Sequence, residues 1–229
     1  RDSPLHQATI LFGWRNVTLA SALLALLMAV LVFMFVRDDP SEKGLKSCLD
    51  EESSGHKEEK ILKSLGRVFR FSNTWFLTIA PGGIVGAVLT FSGLWGVPFL
   101  TEVYQLENAT AATLCSLVML AWALSGPIYS LVSERIQLRR MPYLIGTMIS
   151  LISWSLVFLI PGWSLGVLSL LLFLAGFFSG GMILGFAQGK ETLPLSLSGT
   201  VSGVINMGVL TGPMLLQPLV GFLLDSTKP

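Results

Sequence analysis

VTLASALLALLMAVLVFMFV, residues 17–36, contains no Asp, Glu, Lys, Arg or His. A helix rises about 1.5 Å per residue and the hydrocarbon core of a bilayer is about 30 Å thick, so this stretch is long enough to cross once. Water-soluble helices need one solvated face and interrupt such runs with charge. Working outward, five more stretches share the property: 74–99, 109–132, 141–160, 163–187 and 200–224. Six such runs of 20 to 26 residues in a chain of 229 read as an all-α, polytopic transmembrane helix bundle of six spans. The lipid bilayer is therefore its first partner.

Composition agrees. Charged residues make up 13% and hydrophobic ones 52%, with a mean hydropathy of +0.70, which suits neither a soluble domain nor a disordered chain. Cys48 lies in a polar segment and Cys115 within a span, too far apart to pair, so both read as free thiols. His6 and His56 have no partners at ligand spacing, so no metal site is expected. A nucleophile–base arrangement, a phosphate-cradling loop and a nucleic-acid patch are all missing from the sequence. The chain reads as no enzyme, with no cofactor and no nucleic-acid partner. It begins at Arg1 without a cleavable signal pattern and ends at Pro229 directly after an uncharged span, so both ends read as cut.

Lys and Arg in short loops report the cytoplasmic side. Residues 37–73 hold eight of them, the loop after the third run holds Arg135, Arg139 and Arg140, and the loop after the fifth holds Lys190. These alternate loops carry 12 of the 15 basic residues, while 100–108 and 161–162 carry none. Six crossings with both visible ends outside follow. The sequence divides into an outer segment and first span (1–36), a central cytoplasmic loop (37–73) and a bundle of five spans (74–229). Within the loop, 38–56 is rich in Asp, Glu, Ser, Lys and Gly and reads as a linker. Residues 57–71 place Ile61, Leu62, Leu65, Val68 and Phe69 at helical spacing among basic residues. That pattern fits an amphipathic helix on the membrane surface, its apolar face in the acyl boundary. A solvated connector running into the second span is the plainer alternative.

The segment SLVSERIQLRR, residues 130–140, closes the third run. Cations at such a turn favour the carbonyl end of a helix, and Glu134 is placed to pair with an Arg of its own or a neighbouring helix. The spacing resembles the cytoplasmic gate motif of the major facilitator superfamily, G-x-x-x-D-R-x-G-R-R. Arg135, Arg139 and Arg140 match, whereas Ser130, Glu134 and Gln137 stand for Gly, Asp and Gly. Other segments line up in order: Phe12-Gly-Trp-Arg15 is similar to the opening of helix six, Arg37-Asp-Asp-Pro40 to its exit. Gly93-Leu-Trp-Gly-Val-Pro-Phe99 is similar to the outer end of helix seven. Gly203-Val-Ile-Asn206-Met-Gly208 with Gly212-Pro213 is similar to helix eleven. The resemblance implies helices six to eleven of a twelve-helix transporter, a partial fold whose missing N-terminal half is a further expected partner.

Within that resemblance, Pro81, Pro98, Gly212 and Pro213 are expected helix breaks beside the substrate path, proline kinks being otherwise ordinary in membrane helices. Substrate-cavity candidates are the polar or aromatic residues at membrane depth: Asn206, Gln217, Trp95, Trp122, Ser125 and Tyr129. Packing is the competing reading for each, and for the ladders Gly176/Gly180, Gly181/Gly185/Gly189, Gly199/Gly203 and Gly208/Gly212. Glu134, Arg135, Arg139 and Arg140 are the expected cytoplasmic gate. Trp95 also suits the interfacial belt, and Trp154 is expected against lipid or a neighbouring helix. No Asp, Glu, Lys, Arg or His lies inside the spans. The implied function is alternating-access transport of a small organic solute, in a bacterial inner membrane. The rival is a non-transporting scaffold or the remnant of a truncated transporter.

Overall fold

The computed structural model describes residues 12–36, 44 and 61–227. The linker read over 38–56, Gly44 apart, and residues 57–60 of the amphipathic segment lie outside the described residues, as does Cys48. The chain forms two units, 1–57 and 58–229.

In the first unit, Gly13 turns the backbone at φ 76° and starts helix α1, Trp14–Phe35. Asn16 Nδ2 donates to the Phe12 carbonyl at 2.8 Å, while Thr18 and Ser21 donate to the carbonyls four residues back. Those bonds leave α1 with satisfied hydroxyls, as a helix in hydrocarbon needs. The Arg15 guanidinium stands 5.3 Å from the Trp14 ring, where the ring face attracts a cation.

The second unit opens with α2, Ile61–Val68, followed by α3, Ser72–Thr90, which passes through a π-helical turn, Phe91–Trp95, into α4, Gly96–Val103. Next come α5, Asn108–Ile136, and α6, Arg140–Leu159. Helix α7, Leu165–Ser179, leads through a short 3₁₀ turn into α8, Ile183–Thr192, and α9, Ser198–Thr227, closes the unit. Six helices are long and apolar enough to cross a membrane: Trp14–Phe35, Ser72–Val103, Asn108–Ile136, Arg140–Leu159, Leu165–Thr192 and Leu195–Ser226. Each contains nearly all of one charge-free run and overshoots several of the runs, because polar residues such as Ser72 and Asn108 form first turns.

Lipid offers helices no hydrophobic reward for associating, so contact comes from close packing of small residues. Helices α3 and α9 meet in this way. A methyl at Gly82 would lie 2.6 Å from the Gly208 carbonyl oxygen, one at Gly86 would lie 3.0 Å from the Gly212 carbonyl carbon, and one at Gly212 would strike the Gly82 carbonyl. Gly176 likewise sits on the Val118 carbonyl and Gly180 on Ser125. Gly199 and Gly203 face open space, so that ladder packs against nothing described. Helix α6 is held to α7 by hydroxyls: Ser150 Oγ and Ser179 Oγ lie 2.8 Å apart, and both reach the Ala175 carbonyl, at 3.1 and 2.7 Å. Trp154 is buried against Phe91 at 5.0 Å and stacks on Phe158, so of its two expected settings it takes the neighbouring helix.

Two expectations change. Helix α3 runs through Pro81, and α9 through Gly212 and Pro213, without leaving α geometry. A proline removes one donor, and the helix absorbs that locally when a neighbour packs against it. The departure from α geometry in this helix lies instead at Phe91–Trp95, ahead of Pro98, where the Gly96 N–H reaches the Phe91 carbonyl five residues back. Gly96 is needed there, since a methyl would come within 2.6 Å of Cys115 Sγ. The second change concerns α2. Its apolar face, Leu65, Val68 and Phe69, packs on Leu193, Leu197 and Val201 rather than into the acyl boundary, although Ile61 and Leu62 stay exposed. Phe69 is clamped by Trp75, whose Nε1 donates to the Phe69 carbonyl at 3.1 Å.

Candidate functional site

The turn between α5 and α6 is built around a buried serine. Ser133 Oγ donates to the Leu138 carbonyl at 2.7 Å and accepts from Arg139 Nη1 at 3.0 Å. This fixes Arg139 so that its Nε and Nη2 both reach Glu191 Oε1, at 3.1 and 2.9 Å. Glu191 lies in the last turn of α8, so three helices are tied at one end of the bundle. Arg139 is 27% exposed and Glu191 52%, and a pair that wet is worth at most ~1 kcal/mol. Its value is orientation rather than stability.

Glu134 was the expected acid. Its side chain instead points out with no ion pair among the described residues, and Arg135 and Arg140 are exposed beside it. The reason is helical phase. Ser133 takes the inward position, so the next two residues face away. Glu191 was hard to find from the sequence because it pairs across 52 residues, although a carboxylate beside Lys190 at the end of a charge-free run was a usable signal. Gln137 terminates α5 in the left-handed region, φ 53°. A side chain there costs ~1–2 kcal/mol, which explains the glycine of the resembled motif, and the Gln137 amide offsets part of it by donating to the Glu134 carbonyl at 2.6 Å.

Of the cavity candidates, Trp95 and Gln217 come together. Trp95 Nε1 donates to the Gln217 carbonyl at 3.1 Å, and Gln217 Nε2 makes a long 3.4 Å bond to the Leu89 carbonyl beside the π turn. Ser125 and Tyr129 are buried in helix contacts, Ser125 bonded to the Trp122 carbonyl at 2.7 Å and Tyr129 wedged against Gly146 and Gly181. They pack helices and line no described cavity. Trp122 is half-buried at the edge of the main core. Asn206 is exposed on α9, its amide without a hydrogen bond among the described residues. Thr211 lines a cavity of 520 Å³ with Trp75 and Gly83, whereas Asn206 and helix α5 do not border it.

At the opposite end, Tyr104 donates to the Val157 carbonyl at 3.0 Å and ties α4 to α6, burial pushing its phenol above the usual range. No cluster of His, Cys, Asp or Glu able to hold a metal occurs among the described residues. The family described as Major Facilitator Superfamily matches residues 4–225. The chain belongs to the major facilitator superfamily. No curated protein matches it. As a member of this superfamily it is a multi-pass integral membrane protein of transporter type and not an enzyme.

Proposed function

We propose that this chain is the part of a secondary transporter corresponding to helices six to eleven, and that the whole moves a small organic solute by alternating access. The observation that carries the reading is the Ser133–Arg139–Glu191 junction. Alternating access requires one end of the bundle to open and close, and a half-solvated ion pair of ~1 kcal/mol biases that step without locking it. Glu134, Arg135 and Arg140 remain available at the same turn for the second helical bundle. The basic loops put this end in the cytoplasm, with the central loop, by the charge rule for a bacterial inner membrane. Asn206, exposed with unused donors and acceptor, is the candidate side chain for meeting a solute.

Solute counterflow into vesicles holding the chain with its complementary helices tests this. Arg139→Ala is expected to slow exchange by about fivefold, equivalent to ~1 kcal/mol, and the swap Arg139→Glu with Glu191→Arg to recover most of it. Glu134→Gln should then have the smaller effect. Absence of saturable exchange across a broad solute panel, with folded and abundant protein, favours the scaffold or remnant reading.

A further inference from the structure

Helix α2 has two faces of opposite character. Ser64 and Val68 are buried, and Val68 packs with Leu65 and Phe69 on Leu193, Leu197 and Val201. Lys63, Arg67 and Arg70 are exposed. The winding persists past Val68, since the Phe69 N–H donates to the Leu65 carbonyl and the Arg70 N–H to the Arg67 carbonyl, both at 3.1 Å. Positions 63, 67 and 70 are therefore spaced i, i+4 and i+7 and form one stripe, turned about half a revolution from the packed face. No Asp or Glu occurs between positions 61 and 71.

The stripe also has a defined height. Leu197 and Val201 belong to the first two turns of the span Leu195–Ser226, so α2 lies beside the entrance of that span. Arg70 precedes the span Ser72–Val103 by two residues, and Trp75, 51% exposed, stands in its first turn. An indole half in the open at a span end suits the boundary between hydrocarbon and headgroups. Lys63 and Arg70 are about 10 Å apart along the helix axis, at 1.5 Å per residue. The headgroup layer on one side is about 5–8 Å deep, so the long side chains of all three cations come within its reach.

We propose that the outward face of α2 binds the headgroups of anionic phospholipids. Each guanidinium offers a fork of N–H donors to a phosphate, and the Lys63 ammonium adds a point charge. Phosphatidylcholine presents the same phosphate, but its own trimethylammonium opposes the stripe, so preference follows the net charge of the headgroup. An acidic protein segment would meet the same charge, but the height of the stripe at two span entrances favours lipid. The seat of Val68 on Leu193 and Leu197 decides which way the stripe points, which the spacing of apolar residues alone left open. Such binding requires only that α3 and α9 cross the bilayer, whatever the chain transports.

A bimane label on Gly66→Cys, in the full chain carrying Cys48→Ser, tests the proposal. A side chain at Gly66 meets nothing within 4 Å beside the stripe, and Cys115 is buried away from the label. In vesicles holding spin-labelled phosphatidylglycerol or spin-labelled phosphatidylcholine at equal mole fraction, bimane quenching gives the relative association of the two lipids. A basic residue near an anionic surface is worth about fivefold, and Lys63 and Arg67 also engage other groups of the chain. A preference of about tenfold for phosphatidylglycerol is therefore expected at low salt, falling to at most about twofold at about 0.5 M salt. Lys63→Gln with Arg67→Gln and Arg70→Gln should lower it as far. Arg70→Gln alone, beyond the last turn of α2, should cost about threefold and serves if the triple variant does not fold. Equal quenching by both lipids at low salt, negligible quenching by either, or a preference that survives these substitutions in folded protein overturns the proposal. Equal quenching joined to a bimane shift with a soluble polyglutamate peptide would assign the stripe to an acidic protein segment instead. Size-exclusion profiles and thermal midpoints of each variant distinguish a lost site from a lost fold.

Discussion

Helices α3 and α9 touch through glycine on both sides, whereas α7 touches α5 and α6 through glycine reinforced by hydroxyls. In the first contact, Gly82 and Gly86 lie on the carbonyl edges of Gly208 and Gly212, and the side-chain bonds across it, from Trp95 and Gln217, all lie toward one end. In the second, Ser150 and Ser179 share the Ala175 carbonyl in a buried network at the middle of the bundle. Both are dense. They differ in what resists sliding: shape alone yields gradually, while a hydrogen bond without water to replace it is lost outright. The α3–α9 pair is thus held by shape along most of its length and by an indole bond at one end.

The sharpest attempt to break that contrast is Gly212→Leu, which drives a side chain into the Gly82 carbonyl. A loss above ~3 kcal/mol is expected, read as a fall in thermal midpoint and folded abundance in detergent. An unchanged midpoint would mean the glycine contact carries nothing. Next, a double-mutant cycle on Ser150→Ala and Ser179→Ala should give a coupling of ~0.6 kcal/mol and up to ~1.7 kcal/mol, the range for membrane helices. A coupling of zero would erase the distinction between the two contacts. Trp95→Phe keeps a ring near Gly221 but removes the donor to the Gln217 carbonyl, and should cost ~1 kcal/mol while quickening hydrogen exchange at the end of α9. Smallest is Gly203→Ala. A methyl there meets nothing within 4 Å, so ordinary helix propensity should raise stability by ~0.5 kcal/mol. Destabilisation instead would reveal a surface that another element covers.

Span number and order were legible because freedom from charge over twenty residues has few causes besides a bilayer. Helix α2 was legible as amphipathic, but the spacing of Leu65, Val68 and Phe69 could not say whether lipid or protein would meet that face. Proline was a poor guide to irregularity. Pro81 and Pro213 lie inside regular helix, while the π turn falls at Phe91–Trp95, beside the close approach of Gly96 to Cys115. At the basic turn the three arginines were named together, yet only Arg139 is held inward, because Ser133 occupies the inner phase of the last helical turn. Glu191 and the pairing of Trp95 with Gln217 depended on contacts between residues far apart in the chain, which no local pattern encodes. Asn206 was expected at a cavity wall, but it is exposed on α9 and does not border the 520 Å³ cavity.

The π turn amounts to one residue inserted into an otherwise regular rod. Deleting a residue within 91–95 would return the rod to ordinary winding and rotate everything beyond it by ~100°. Phe99 and Glu102 would be re-aimed, while Gly82 and Gly86 kept their seats against α9. A single-codon indel here would therefore re-aim the side chains at one end of the helix and leave the glycine contact below it untouched.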